Sequence, residues 1–185
     1  MSGSKTWKEM CDEIQHRSIE STPLMISNAK ELRTQIFKCL NTARDNRILK
    51  TKLDQIHKLL KMTSPNTGKV EIVGGERNFR RTKDIPHFER SDGCWFDFSI
   101  LIDETIKPAE IIGFDFEIRF PQSNRIKFLR LDLNLPSHDN EERGLRFHLH
   151  PGSDDLMIHS PPMSPLEILH LFLYGLSIPE KFRSS

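Results

Sequence analysis

The sequence predicts an α+β protein: a helical N-terminal arm over residues 1–66, then an antiparallel β-sheet domain over residues 67–185, with one sheet face covered by helices and a helix at the C-terminus. Three observations carry this expectation. Apolar residues in the first third recur at spacings of three and four, the period of a helix face. From Phe96 onward the pattern changes to alternation of apolar and polar residues, the period of a strand with one buried face. Near the end, Ser164-Pro165-Leu166-Glu167 holds the residues of a capping box with proline in the first helical turn.

Taken in order, Ser4 caps an expected helix over residues 5–20, with Trp7, Met10, Cys11 and Ile14 on one side. Thr22-Pro23 marks a new helix start, after which Met25, Ala29, Leu32, Ile36, Cys39 and Ala43 keep one apolar stripe. Leu49, Leu53, Ile56 and Leu60 keep the same rhythm in a shifted phase, so the spacing predicts a helical hairpin or one long helix with a stutter at Asp45-Asn46. Ser64-Pro65-Asn66-Thr67-Gly68 ends it. Strand signals follow at residues 70–73, then at 96–103 after the Asp92-Gly93 turn, at 112–120, at 126–135 and at 145–150. The final helix runs through Leu169, Phe172 and Leu173 and stops at Gly175.

With 185 residues, 29% charged and 36% apolar, the composition is that of a globular domain and not of a disordered chain. Charge is unevenly spread: residues 1–66 carry 12 Lys/Arg against 7 Asp/Glu, and residues 67–185 carry 15 against 19. The arm is therefore the part expected to meet an acidic surface. Cys11, Cys39 and Cys94 are odd in number and far apart, which argues against a disulfide scaffold and fits a reducing cytoplasm. No apolar run reaches the ~20 residues that span a bilayer, and the charged start lacks the apolar core of a signal peptide. A cytoplasmic protein with no membrane partner is expected.

The chemistry concentrates in two runs, Arg130-Leu131-Asp132-Leu133-Asn134 and Arg146-Phe147-His148-Leu149-His150. In neighbouring strands one face collects Arg130, Asp132, Asn134, Arg146, His148 and His150. With His138 or Asp132 nearby, His148 and His150 offer three ligands of the kind a divalent transition metal takes; His138, His148 and His150 are one such set. The same histidines suit metal-free acid–base work on an RNA 2′-hydroxyl and its leaving oxygen, because imidazole exchanges protons near neutrality. In that case Arg130 and Arg146 hold the phosphate, and Asp132 orients a histidine. A polar outer sheet face also carries such residues with no chemistry at all. Asp115, Glu117 and Asp132 form a lesser candidate set for Mg²⁺. Upstream, Arg77, Arg80, Arg81 and Lys83 surround Phe79, a pattern suited to phosphate contact with a ring for base stacking.

The order of these segments carries a resemblance. The strand pair Phe114–Arg119 and Phe128–Arg130 precedes Asp132-Leu133-Asn134-Leu135-Pro136-Ser137-His138, then Phe147-His148-Leu149-His150, then Ser164-Pro165-Leu166-Glu167-Ile168-Leu169. This resembles the TumE-type family of small toxins in prokaryotic toxin–antitoxin modules, with its Tyr-Asp-Asn-Ala-Pro-His-His, His-His-Lys-His and Ser-Leu-Glu-Glu-Val-Leu segments. Departures are Asn134 in place of an asparagine directly after Asp132, one histidine fewer in each cluster, and Leu149 where the family has a cation. The resemblance implies a growth-inhibiting effector with a cognate antitoxin, and carries over His138, His148 and His150.

The function expected is a cytoplasmic effector of a toxin–antitoxin or antiphage defence module, acting on RNA through the histidine-bearing sheet face. An antitoxin or complex subunit would engage helical residues 22–62. The alternative is a non-catalytic protein-interaction or nucleic-acid-binding subunit of a larger defence complex, with the same helical stripes available for homo-oligomerisation.

Overall fold

The computed structural model describes residues 6–10, 23–78, 80–138 and 144–178. Most of the helix expected over residues 5–20 lies outside the described residues, as does the middle of the loop between Pro136 and Gly144. Among the described residues nine strands form one antiparallel sheet. They are β1 (Leu24–Ile26), β2 (Leu60–Asn66), β3 (Lys69–Gly74), β4 (Phe88–Glu89), β5 (Trp95–Asp103), β6 (Ala109–Arg119), β7 (Phe128–Leu133), β8 (Phe147–His150) and β9 (Ile158–His159). The order across the sheet is β2-β3-β5-β6-β7-β8-β9, with β1 pairing on β6 and β4 on β5. Three helical elements pack against it: α1 (Ala29–Asp45), α2 (Leu53–Leu59) and α3 (Pro165–His170), the last continuing into a wider turn over Leu171–Gly175. The α+β class with a helix-covered antiparallel sheet is the architecture observed.

The apolar face of the sheet is built on phenylalanines. Phe96 and Phe98 of β5, Phe116 of β6, Phe88 of β4 and Phe172 beyond α3 are all essentially inaccessible. Phe98 stacks on Phe116 at 4.8 Å and on Phe88 at 6.0 Å, and Phe172 meets Phe96 edge-on at 5.9 Å. Each such ring contributes about 1.5–3 kcal/mol by burial, and favourable pairs add about 0.5–1.5 kcal/mol. Helix α1 lays Ala29, Leu32, Ile36, Leu40 and Ala43 into this layer. At α3, Ser164 accepts from the Glu167 N–H while Glu167 accepts from the Ser164 N–H, the reciprocal cap expected from the sequence.

Several expected boundaries move. Leu24–Ile26 is strand, pairing with residues 109–111 of β6, so the helix starts at Asn28, whose side chain accepts from the Glu31 N–H; Pro23 lies before it. The break after Asp45 is a true loop, with two helices rather than a stutter. Leu60–Asn66 is strand β2, in a hairpin with β3, and not the end of a helix. Residues 29–60 of the 1–66 arm therefore share one continuous core with the sheet, because their apolar stripe has the sheet's apolar face to cover. A register shift near Leu101/Ile102 pairs Leu101 with Gly113 and Ile102 with Ile111, placing Ile111 in the continuous core. Among the described residues no helix is long and apolar enough to cross a membrane.

The polar face is not left bare. At Gly74 the Phe98 ring lies where a Cβ would stand, within 2.2 Å. At Gly75, with φ +87°, the chain turns away from the sheet. The following loop, residues 75–87, brings Arg77 and Arg81 onto carboxylates of β6.

Candidate functional site

Strand register arranges the polar side chains in two rungs. One runs Asp97, Glu117, Arg130, His150 across β5, β6, β7 and β8; the next runs Ser99, Asp115, Asp132, His148 across the same strands. Because side chains alternate along a strand, all eight stand on one face, opposite Phe96, Phe98 and Phe116. A concavity of about 710 Å³ opens there, lined among others by Asp97, Asp115, Glu117, Arg119, Arg130 and Asp132.

At the β7–β8 end of the rungs three side chains converge. His148 Nε2 lies 3.1 Å from His150 Nε2, and Asp132 Oδ2 lies 3.6 Å from the first and 3.4 Å from the second. His148 and His150 are 2% and 3% exposed. Arg130 Nε donates to the same Asp132 oxygen at 2.8 Å. Asp132 Oδ1 and both Nδ1 atoms, also buried, have no partner in hydrogen-bond geometry. Burial holds the His148 imidazole below its ordinary range; Asp132 opposes this and His150 reinforces it.

Arginines and carboxylates fill the rest of the face. Arg119 pairs with Asp97 at 2.5 Å and Glu117 at 2.7 Å. Arg81 bonds Glu117 at 2.8 Å and Asp154 at 2.8 Å, and lies 3.6 Å over the Phe128 ring. Arg130 reaches Asp154 at 2.6 Å and Glu117 at 3.7 Å. Arg77 pairs with Asp115 at 2.9 Å. The acids still outnumber their partners. Burial pushes Asp97 up to about 7 despite Arg119, and Asp115 up to about 6 despite Arg77.

Of the residues singled out from the sequence, the structure brings His148, His150, Asp132 and Arg130 together. His138 lies exposed on the rim of the concavity, outside the converging group, which is completed by Asp132. Arg146 donates to the backbone carbonyls of Asn134 and Ile112. Arg77 and Arg81 engage carboxylates, whereas Arg80 and Lys83 are exposed. The helical stripe within residues 22–62 is buried against the sheet. Sequence reasoning missed the Arg81–Glu117–Asp154 and Arg119–Asp97 pairings. Asp97, Glu117 and Arg119 announce their face by alternation, but Asp154, in a loop, gives no periodic signal.

A second concavity of about 650 Å³ is lined by Lys50, Lys52, Lys58, Lys61 and Lys83 together with acidic residues.

The spacing of the histidines decides what they can do as they stand. Nitrogens already at hydrogen-bond distance leave no room for a substrate atom between them, so they do not straddle a phosphate as separate acid and base. They can share one proton, or point both lone pairs at one cation. Comparison with protein-family models, curated proteins and solved structures finds no match for this chain.

Proposed function

We propose that this chain is an RNA-cleaving effector of the toxin–antitoxin or defence type, whose reactive centre is the Asp132–His148–His150 cluster. The observation that carries the reading is the convergence of one carboxylate oxygen and two imidazole nitrogens beside an open polar concavity. Buried ionisable groups brought together beside a cleft are where acid–base or metal chemistry is looked for first. The RNA assignment draws on the lysine-lined second concavity, since lysines contact phosphates, and on the segment order shared with TumE-type toxins. A cognate inhibitory partner follows from the same resemblance.

The near-complete burial of His148 and His150 favours a second reading, a non-catalytic nucleic-acid-binding subunit. Labelled total RNA incubated with the protein, beside a folded His148→Ala/His150→Ala double variant, separates the two. Cleavage by the wild type that the double variant lacks supports the effector. Retained RNA binding without cleavage in either protein supports the binding subunit.

A further inference from the structure

The distances among Asp132, His148 and His150 are those of ligands around an ion. With metal–ligand bonds of about 2.1 Å, ligand atoms stand about 3.4 Å apart in a tetrahedral centre and about 3.0 Å apart at right angles. The observed separations of 3.1, 3.4 and 3.6 Å fall around these values. An ion equidistant from all three atoms sits just off their plane, with the remaining coordination positions on its far side. The two imidazole nitrogens that face each other there belong to side chains 2% and 3% exposed, and Asp132 Oδ2 is held toward them by Arg130 Nε at 2.8 Å.

We infer that Asp132 Oδ2, His148 Nε2 and His150 Nε2 bind one divalent first-row transition-metal ion, leaving positions open for water or a substrate oxygen. Two nitrogens and one carboxylate oxygen are a donor set for Zn²⁺, Fe²⁺, Mn²⁺ or Co²⁺ and a poor one for Ca²⁺ or Mg²⁺, which take oxygen ligands. Local charge agrees. Glu71, Asp97, Asp115, Glu117, Asp132 and Asp154 face Arg77, Arg81, Arg119 and Arg130 through the ion pairs of this face. Acid groups on this face outnumber the guanidiniums by two, a surplus that a bound cation offsets. Arg130 stands close to the ion but is itself surrounded by Asp132, Asp154 and Glu117. It acts as the outer partner that orients a ligating carboxylate. The site rests on geometry alone; its use in cleavage rests on the function proposed above.

The test is metal binding by the tag-free, full-length protein, with Zn²⁺ measured by stoichiometry and Co²⁺ by its visible absorption. The wild type is expected to hold about one equivalent of Zn²⁺ and to give Co²⁺ bands of a low-coordinate nitrogen–oxygen site. Asp132→Asn, nearly isosteric, and His150→Ala are each expected to weaken Zn²⁺ at least about tenfold, while His170→Ala, at an exposed position on α3, binds as the wild type. Circular dichroism verifies that each variant is folded, and Asp132→Asn keeps the test decisive should His150→Ala not fold. A folded wild type that takes up neither ion, or variants that bind as tightly as it does, would overturn the site. Cleavage of RNA by metal-free protein would overturn the ion's use in cleavage while leaving the effector reading standing. Stoichiometric Zn²⁺ with no RNA cleavage upholds the site and removes the effector reading.

Discussion

Asp132 on β7 and His148 on β8 are direct cross-strand partners, and Asp132 Oδ2 stands 3.6 Å from His148 Nε2. That pairing brings a carboxylate and an imidazole of residues 16 positions apart to one point, and His150, two residues along the same face, completes it. Arg130, opposite His150, then holds the carboxylate. Ordinary antiparallel register is sufficient to build the whole group.

Arg130→Met removes the donor that orients Asp132 and leaves Asp154 and Glu117 with one cation fewer. RNA cleavage is expected to fall about 10–100-fold, and stability by about 1–3 kcal/mol. Arg130→Lys restores the charge without the planar fork, so it recovers stability better than rate. Initial rates and urea unfolding of the three proteins check this.

Arg81 ties the 75–87 loop to the sheet through Glu117, whose side chain is only 7% exposed. Arg81→Ala leaves that carboxylate with its ion pairs to Arg119 and Arg130 but without its bidentate partner. A loss of about 2–4 kcal/mol is expected. Hydrogen exchange in residues 75–87 should quicken at the same time, which distinguishes a loosened loop from general destabilisation.

Asp97 predicts a pH dependence. It faces Arg119, Glu117 and Asp115, and its folded value of about 7 lies above the ordinary 3.8. Between those two values the folded chain holds a proton that the unfolded chain has released, so stability from this group is present in acid and is lost as pH rises through 7. Asp97→Asn, which cannot ionise, should flatten that part of the profile. Urea midpoints from about pH 5 to about pH 8 are the measurement.

Arg90 is a buried cation that donates to the Phe172 carbonyl and, at 3.0 Å, to the Leu176 carbonyl. It therefore satisfies the end of the C-terminal helical segment. Arg90→Ala leaves these acceptors unpaired and should cost about 2–3 kcal/mol, read as a lowered melting temperature with the RNA-cleaving rate per folded molecule unchanged.

What was legible in the sequence was what a single period encodes. The alternation at residues 96–103 and 112–119 marks strands because one face is apolar, and Ser164–Glu167 marks a helix start because its hydrogen bonds are local. The meeting of Asp132 with His148 and His150 was readable for the same reason: two alternating runs become neighbours. Leu60 was misleading, since it completes a helical rhythm that the β2–β3 hairpin overrides with pairing to Gly74. Arg77 and Arg81 read as candidate phosphate contacts, and their partners on β6 are set by the path of the loop after Gly75. Glu117 is 36 residues from Arg81 and Asp154 is 73; no local pattern announces such pairs.

The most direct measurement is the cleavage rate of labelled RNA by the metal-loaded wild type and by Asp132→Asn, with folding of both verified. Asparagine keeps the size of the side chain and an acceptor for Arg130 but loses the negative charge that the centre requires. The account predicts cleavage by the wild type and a loss of about a hundredfold in the variant. A variant that cleaves as fast as the wild type, or a wild type that does not cleave, would contradict it.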